Sequence, residues 1–387
     1  MKRDIYDEDH EAFREMVKEF VRRYVTNEKR EQWDRDGEVD RATMLAAGQQ
    51  GLIGLSVPEE FGGAGMLMDF RFRAVVNEEV LRAGAGSLAG AFGIHDDLAV
   101  PYLAHFGTDA MKQKWLPKMA TGEVLGALAM TEPGAGSDLR GVSTTAKKVD
   151  GGYIVNGAKT FISSGKTADV VVTFVKTGEG NRPDAFSLIL VENGMAGFDH
   201  GKTLHKMGFH GHDTAELSFT DVFVPDENLI GTEPGHGFIQ LMKNLPLERL
   251  SIGVAAAAAS QAGLEWTLEF TKNRTAFGQA VADFQNTRFR LAEMATTVDV
   301  MWAYIDRAME LYRKGELSAE EAAKVKFWTT EREWEVLDVG VQLHGGYGYI
   351  MEYPIARAFA DARVHRIYGG TNEVMREIVA RAVTGRK

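Results

Sequence analysis

The chain has 387 residues, 44% hydrophobic and 26% charged, enough for a large buried core in a soluble protein of two or three domains. Its net charge of −11 excludes a general nucleic-acid binder, and no apolar run reaches membrane length. The absence of cysteine excludes disulfides, thiolate catalysis and iron–sulfur or Cys–zinc sites, and fits a reducing cytoplasm.

The N-terminal stretch MKRDIYDEDHEAF is charged and has no apolar signal core, so the expected setting is a bacterial-type cytoplasm or an already processed organelle protein. Phe13, Met16, Val17, Phe20, Val21 and Tyr24 recur at helical spacing, and Asp7 is placed to cap that helix. Helical runs follow near 40–50, 68–83, 94–105 and 109–119, with PEEFGGAG and AGAGSLAGAFG reading as glycine-rich joints. From about 125 to 225 the pattern turns to short β-rich runs: GALAM, STTAKKV, GYIVNGAKTFIS, DVVVTFVK, AFSLILVE and AELSFTDVFV. These predict a compact β-barrel or sandwich. From 236 the pattern is helical again: a long run interrupted by Pro246, then 283–314, 318–344 and 373–383, the last with Asn372 as its cap. The expected class is α+β, with an all-α N-terminal domain (1–124), a middle β-domain (125–235) and a C-terminal helical bundle (236–387).

No P-loop, H-E-x-x-H or G-x-S-x-G occurs. GAGSLA (84–89) follows a helical run, not a strand, which leaves a dinucleotide fold unsupported. His200, His205, His210 and His212 lie in a Gly-rich β connection without ligand regularity and read as solvated loop histidines. In MTEPGAGSD (130–138), backbone N–H groups around Pro133, Gly134 and Gly136 can face an anion or polar heterocycle, with hydroxyls from Thr131 and Ser137; a plain β-turn explains the same residues. In GAKTFISSG (157–165), Phe161 and Ser163 share a strand face suited to a flat ring; a core Phe beside a surface Ser is the plainer reading. RIYGGTNEVM (366–375) places two glycines in a turn that can approach a ligand closely, yet neither offers a reactive group. In LPLERL, Glu248 shares a helix face with Leu241, Leu245, Ile252 and Ala255. A carboxylate there is costly unless paired or neutralised. The plainer reading is a first-turn glutamate favouring the helix dipole, after a restart at Asn244 or Leu245.

Taken with NRTAFGQAVADFQ (273–285), VQLHGGYGYIMEYP (341–354) and DARVHRIYGGTNEVMREIVAR (361–381), these segments resemble the acyl-CoA dehydrogenase family of flavoproteins over nearly the whole chain, most of all its long-chain type. The resemblance implies an N-terminal helical domain, a middle β-domain and a C-terminal four-helix bundle, with FAD between the last two. It implies that Leu128, Met130, Thr131 and Ser137 form the flavin-binding loop, with Ser137 also at the CoA part of the substrate. Phe161 and Ser163 would cover the flavin ring, where many relatives have Trp and Thr. Arg274, Phe277, Gln285, Gln342, Gly345 and Gly346 would reach the FAD of a neighbouring subunit, and Thr371 and Glu373 would close the site. Leu245, Arg249, Gly369 and Gly370 would touch substrate. The implied assembly is a homotetramer, a dimer of dimers.

Many relatives carry a catalytic glutamate immediately after the Tyr of the 366–375 loop, where this chain has Gly369. The isovaleryl and long-chain types place it on a bundle helix, and the matching residue here is Glu248. The implied reaction is α,β-dehydrogenation of an acyl-CoA thioester to the trans-2-enoyl-CoA. Glu248 takes the α-proton and the β-hydrogen leaves as hydride to the flavin. Hydrogen bonds to the thioester carbonyl, one from the backbone N–H of Gly369, stabilise the enolate-like charge. Electrons then pass to an electron-transfer flavoprotein. The alternatives are a branched- or short-chain substrate, an oxidase or flavin monooxygenase on the same fold, and a flavin-free acyl-CoA-binding protein.

Overall fold

The computed structural model describes residues 3–385, so the first two residues of the charged N-terminal stretch lie outside it. Seven α-helices come first: α1 (Glu8–Tyr24), α2 (Asn27–Asp36), α3 (Arg41–Gln49), α4 (Phe70–Arg82), α5 (Gly86–Gly93), α6 (Val100–Phe106) and α7 (Asp109–Ala120). Asp7 caps α1, its side chain accepting from the backbone N–H groups of Asp9 and His10, while Val17 and Phe20 are buried. Two of these helices escaped the pattern reading. The sequence of α2, NEKREQWDRD, has no apolar stripe; it is held by a Thr26 cap and by the one buried residue Trp33, whose indole donates to Asp40 at 2.7 Å. The supposed joint AGAGSLAGAFG is mostly α5, because burial of Leu88 and Phe92 overrides the low helix propensity of its glycines. A π-helical turn, Ile94–Ala99, leads into α6.

The middle of the chain is one seven-stranded sheet, so the expected barrel or sandwich takes the form of a single curled sheet. Its strands are β1 (Gly126–Ala129), β2 (Thr145–Val149), β3 (Gly152–Ser163), β4 (Val170–Lys176), β5 (Phe186–Glu192), β6 (Phe198–Thr203) and β7 (Thr214–Pro225). They run in the order β1-β4-β2-β3-β7-β6, with β5 also paired to β4. β1 and β4 are parallel from Gly126↔Val170 to Ala129↔Thr173. The polar strand β6 was not expected; FDHGKT is an exposed edge that alternation rules do not detect. One apolar core holds Tyr102, Leu116 and Met119 from the helices, Phe174 and Phe186 from the sheet, and Leu241 beyond it, so the N-terminal helices, the sheet and the next helix are packed as one body there.

After the sheet come α8 (Gly237–Asn273), a short hairpin of β8 (Thr275–Ala276) and β9 (Gln279–Ala280), α9 (Gln285–Arg313), α10 (Ala319–His344), α11 (Pro354–Ala362) and α12 (Asn372–Thr384). The expected interruption at Pro246 does not occur: α8 is continuous through it. Proline removes the hydrogen bond to the carbonyl four residues earlier, and that carbonyl belongs to Met242, which is exposed and accessible to water. The cap of α12 is Thr371, which accepts from Val374 N–H, and Asn372 is a buried first residue of the helix. No described helix is long and apolar enough to cross a membrane.

α10 lies at the centre of the bundle and packs against α8, α9, α11 and α12. It approaches α8 closely because glycines occupy the crossing. A Cβ at Gly263 would overlap Leu337, and one at Gly340 would overlap Ile355 and crowd Thr267. Gly340→Val is therefore expected to lose about 1–3 kcal/mol in denaturant titration through overpacking; an unchanged midpoint would show that the crossing is looser than these contacts require.

Candidate active site

Glu248 lies well inside α8, so it is not a first-turn residue serving the helix dipole. It is 3% exposed and sits among the buried Leu241, Leu247 and Leu250. Two donors meet its Oε1: the Tyr102 hydroxyl at 2.7 Å and the Asn244 amide at 3.2 Å. Burial raises the Glu248 carboxyl above its ordinary value, and the bonds from Tyr102 and Asn244 and the charge of Arg249 only partly oppose this. Arg249 is also buried, and burial lowers its guanidinium. Its Nε and the Asn244 Oδ1 are buried without a protein partner, which leaves polar capacity for a ligand. Leu245 is half-buried one turn before Arg249.

The segment that supplies Tyr102 also holds α8 a second time. Asp97, in the π-helical turn, accepts from Ser251 Oγ at 2.6 Å and pairs with Arg73 at 3.0 Å. Tyr102 and Asp97 thus grip α8 on both sides of Arg249. Sequence reading missed Tyr102, Asn244, Asp97 and Arg73; the polar residues of IHDDLAVPY in a buried helical run were the available signal.

The 366–375 loop arrives opposite. Gly369 and Gly370 have φ of +63° and +87°, a left-handed backbone that glycine adopts without strain. A Cβ at Gly369 would overlap Ile252 Cδ1, one helical turn beyond Glu248. The glycine turn and the Glu248 face of α8 are therefore immediate neighbours. Thr371 caps α12 beside them, while Glu373 in its first turn is exposed.

The sheet presents a second cluster. Phe161 points outward at 67% exposure with φ of +58°, between buried Thr160 and Ile162, where the pairing of β3 with β7 is irregular, and Ser163 beyond it is half-buried. A non-glycine residue held at positive φ is strained, and such strain gathers at functional sites. Thr160 N–H donates to Thr131 O at 3.0 Å, which brings the 130–138 turn against this face. Gly134 and Gly136 have open space where a side chain would project, and Ser137 is exposed beyond them. Leu128 is different: at 8% exposed it belongs to the apolar core.

The turn is pinned by a pair that sequence reading overlooked. Glu132 accepts from Lys159 Nζ at 2.9 Å, from Ser143 N–H at 2.7 Å and from Thr144 N–H at 2.9 Å, and Lys159 also donates to Met130 O at 3.0 Å. Burial alone would raise Glu132, but the charge of Lys159 and the bonds from Thr144 and Ser143 override it and hold the carboxyl at about 2. The histidine reading holds for the exposed His205 and His210 and needs correction for the other two. His212 is buried and bonded to Ser164 Oγ at 2.9 Å, and His200 bridges Gly165 O and Asn193. Among the described residues no cluster of acidic and histidine side chains is placed to hold a metal.

The remaining candidates gather elsewhere. Arg274, Gln342, Gly345 and Gly346, with Phe270 and Tyr347, line an open groove at the far ends of α8 and α10. Phe277 stands at the hairpin tip, 98% exposed and at φ of +51°, and Gln285 is exposed at the start of α9. Along α8, Arg274 lies about 40 Å from Glu248 at 1.5 Å per residue. The structure therefore gathers the candidates at three places: around Glu248, on the sheet at Phe161, and in this groove.

A buried carboxylate of raised basicity with a glycine turn against it is the equipment of an enzyme that moves a proton on a bound ligand. Comparison with known proteins agrees. The chain matches the N-terminal domain of acyl-CoA dehydrogenases over residues 7–123, the middle domain over 127–222 and the C-terminal domain over 235–384. It is 44% identical to the mitochondrial long-chain specific acyl-CoA dehydrogenase of Sus scrofa, over 98% of this chain and 88% of that protein. A solved acyl-CoA dehydrogenase from Geobacillus kaustophilus superposes with a TM-score of 0.94 at 42% identity, covering 99% of this chain and 100% of that one. Another from Bacillus anthracis, complexed with FAD, superposes with a TM-score of 0.90 at 32% identity, covering 98% of this chain and 68% of that one. The chain belongs to the acyl-CoA dehydrogenase family of oxidoreductases.

The Glu132–Lys159 pair sets a stability test. The Glu132 carboxyl is held at about 2 against an ordinary 4.5, so its contribution is complete above about pH 4.5 and is lost as pH falls toward 2. Lys159→Met leaves a buried carboxylate without its countercharge and is expected to cost about 3–5 kcal/mol at neutral pH. The difference in denaturation midpoint between wild type and variant should shrink in acid; a difference independent of pH would show that the pair does not carry it.

Proposed function

We propose that the protein oxidises an acyl-CoA thioester to the 2-enoyl-CoA with FAD as cofactor and Glu248 as the base. The observation that carries this reading is the buried, hydrogen-bonded Glu248 carboxylate facing the Gly369 turn across Ile252. A carboxyl raised by burial is a stronger base once ionised, and it faces a position where a substrate α-carbon can lie. The turn at Gly369 offers a backbone N–H to the thioester carbonyl, where negative charge develops as the α-proton leaves. With glycine at 369 no second carboxylate competes for the α-carbon, and Ile252 fills the space a side chain would take.

The residues of the sheet fit FAD. An exposed Phe161 and a neighbouring Ser163 suit a flat ring with polar edges, and the open turn at Gly134 and Gly136 suits close approach by polar ligand atoms. A bound FAD would supply the two-electron acceptor for the β-hydrogen, which leaves the substrate as hydride. The groove at Arg274, Gln342, Gly345 and Gly346 is too far along α8 to belong to the same site, which supports its use by the cofactor of a second copy of this chain. Phe277, fully exposed in one chain, supports the same homo-oligomer, read as a tetramer. The match to a long-chain relative supports a long acyl chain, the family match with an electron-transferring flavoprotein among the structural neighbours supports such a flavoprotein as acceptor, and the cysteine-free composition supports a cytoplasmic setting. A panel of acyl-CoA chain lengths and branches, followed by flavin bleaching, tests the substrate; fastest reduction by a short or branched substrate would overturn the long-chain assignment.

Two outcomes test the base. Glu248→Gln should keep the yellow colour and bind acyl-CoA, while the rate of flavin reduction falls by about 10²–10⁴-fold; near wild-type bleaching would place the base elsewhere. Tyr102→Phe removes a donor to the Glu248 carboxylate, so protonation becomes easier. The acid limb of the pH–rate profile should move toward higher pH by about one pH unit. An unmoved limb, or one moved toward acid, would show that Glu248 does not set it.

A further inference from the structure

Lys326 is a charged side chain with no exposure, inside α10. A buried ammonium is costly unless its protons find partners. Both partners here are neutral: Nζ donates to the Gly370 carbonyl and to Asn372 Oδ1, each at 2.9 Å. Asn372 is fixed in turn, since its amide donates to Thr330 Oγ1 and Glu331 Oε1, each at 3.0 Å. Thr371, between the two partners, caps α12. The Gly369–Gly370 turn is therefore tied to α10 through Lys326 on one side and joined to α12 on the other.

This anchoring has a chemical consequence. Two successive glycines at positive φ have no side chains to fix their peptide planes, so the direction of the Gly369 N–H depends on what holds the turn. The Lys326 bond to Gly370 O is the side-chain contact that does so from α10. Burial, with the charge of Arg249 nearby, brings the Lys326 ammonium down to about 7, and both its forms keep at least two N–H donors.

We propose that Lys326 is a positioning residue for the reaction: by holding the Gly370 carbonyl it aims the Gly369 backbone N–H at the thioester oxygen, where the enolate charge develops. The inference rests on the proposed acyl-CoA chemistry and adds a residue remote from the reacting atoms. It gives α10 a task besides packing.

The test uses the FAD-loaded enzyme and a 3-ketoacyl-CoA, which loses its α-proton to an enolate without further reaction. The enolate-to-keto ratio of the bound ligand, read from its own near-ultraviolet band, reports stabilisation of the carbonyl oxygen. Lys326→Met is expected to lower that ratio about tenfold or more and to slow flavin reduction similarly, because small errors of position are costly. Binding of the 2-enoyl-CoA should stay within about threefold, and FAD content and oligomer size should not change. A purely structural role would instead change FAD content, oligomer size or binding and leave the ratio alone. A folded, yellow variant with the wild-type ratio overturns the proposal. If the Met variant does not fold, Lys326→Gln takes its place, keeping one neutral donor; a drop of about threefold or more supports the proposal, and the wild-type ratio overturns it. A wild-type enzyme that no acyl-CoA bleaches and that enolises no 3-ketoacyl ligand sinks the acyl-CoA reading itself, and this inference with it.

Discussion

A carboxylate kept almost wholly out of water is the constraint around which the centre of this molecule is arranged. Glu248 is tolerated on an apolar stretch of α8 because Tyr102 and Asn244 deliver hydrogen bonds to one of its oxygens. Tyr102 reaches it only because the π-helical turn at Ile94–Ala99 feeds α6 against α8, and the Asp97–Ser251 bond ties the same two segments together a little further along. The shared core of Tyr102, Leu116, Phe174, Phe186 and Leu241 then fixes this helical pair against the sheet. Disturbing any of these contacts alters the solvation of one carboxyl group, and with it that group's basicity.

The turn opposite Glu248 obeys a complementary constraint. Its glycines lie so close to Ile252 and Met375 that a side chain at either position would overlap its neighbour. The fold therefore separates two roles. α8 carries the buried carboxylate, and the turn contributes backbone alone. The same division recurs on the sheet, where Phe161 and the 130–138 turn present an open face while the buried Glu132–Lys159 pair behind them holds the shape. Rigid support behind an open face is what preorganised sites require.

Much of the architecture was legible in the chain. The apolar spacing of Phe13 to Tyr24 marked α1, and the β-branched runs marked β3, β4, β5 and β7. What escaped has local physical causes. α2 has almost no apolar residue, α5 is rich in glycine, and β6 is a polar edge strand. Each is held by contacts made elsewhere in the chain, which a local window cannot contain. The break expected at Pro246 failed for a related reason: the unpaired carbonyl falls on an exposed turn, and the surrounding helix is held by packing.

For the site, the sequence by itself determined which chemistry was available. It supplied a glutamate on an apolar helix face, a pair of glycines in a turn without a reactive side chain, and the aromatic and hydroxyl residues of two β segments. Only the tertiary structure decided which of these meet. It set Gly369 against Ile252, supplied Tyr102 as a partner for Glu248 from a segment 146 residues away, and separated the Arg274–Gly346 groove from that carboxylate. It also buried His212 and bonded it to Ser164, where a Gly-rich connection alone suggested a solvated loop histidine. The physical reason is the same throughout. Periodicity reports whether a side chain faces inward, but a pKa and a hydrogen bond depend on the particular atoms it finds there, and those come from distant parts of the chain.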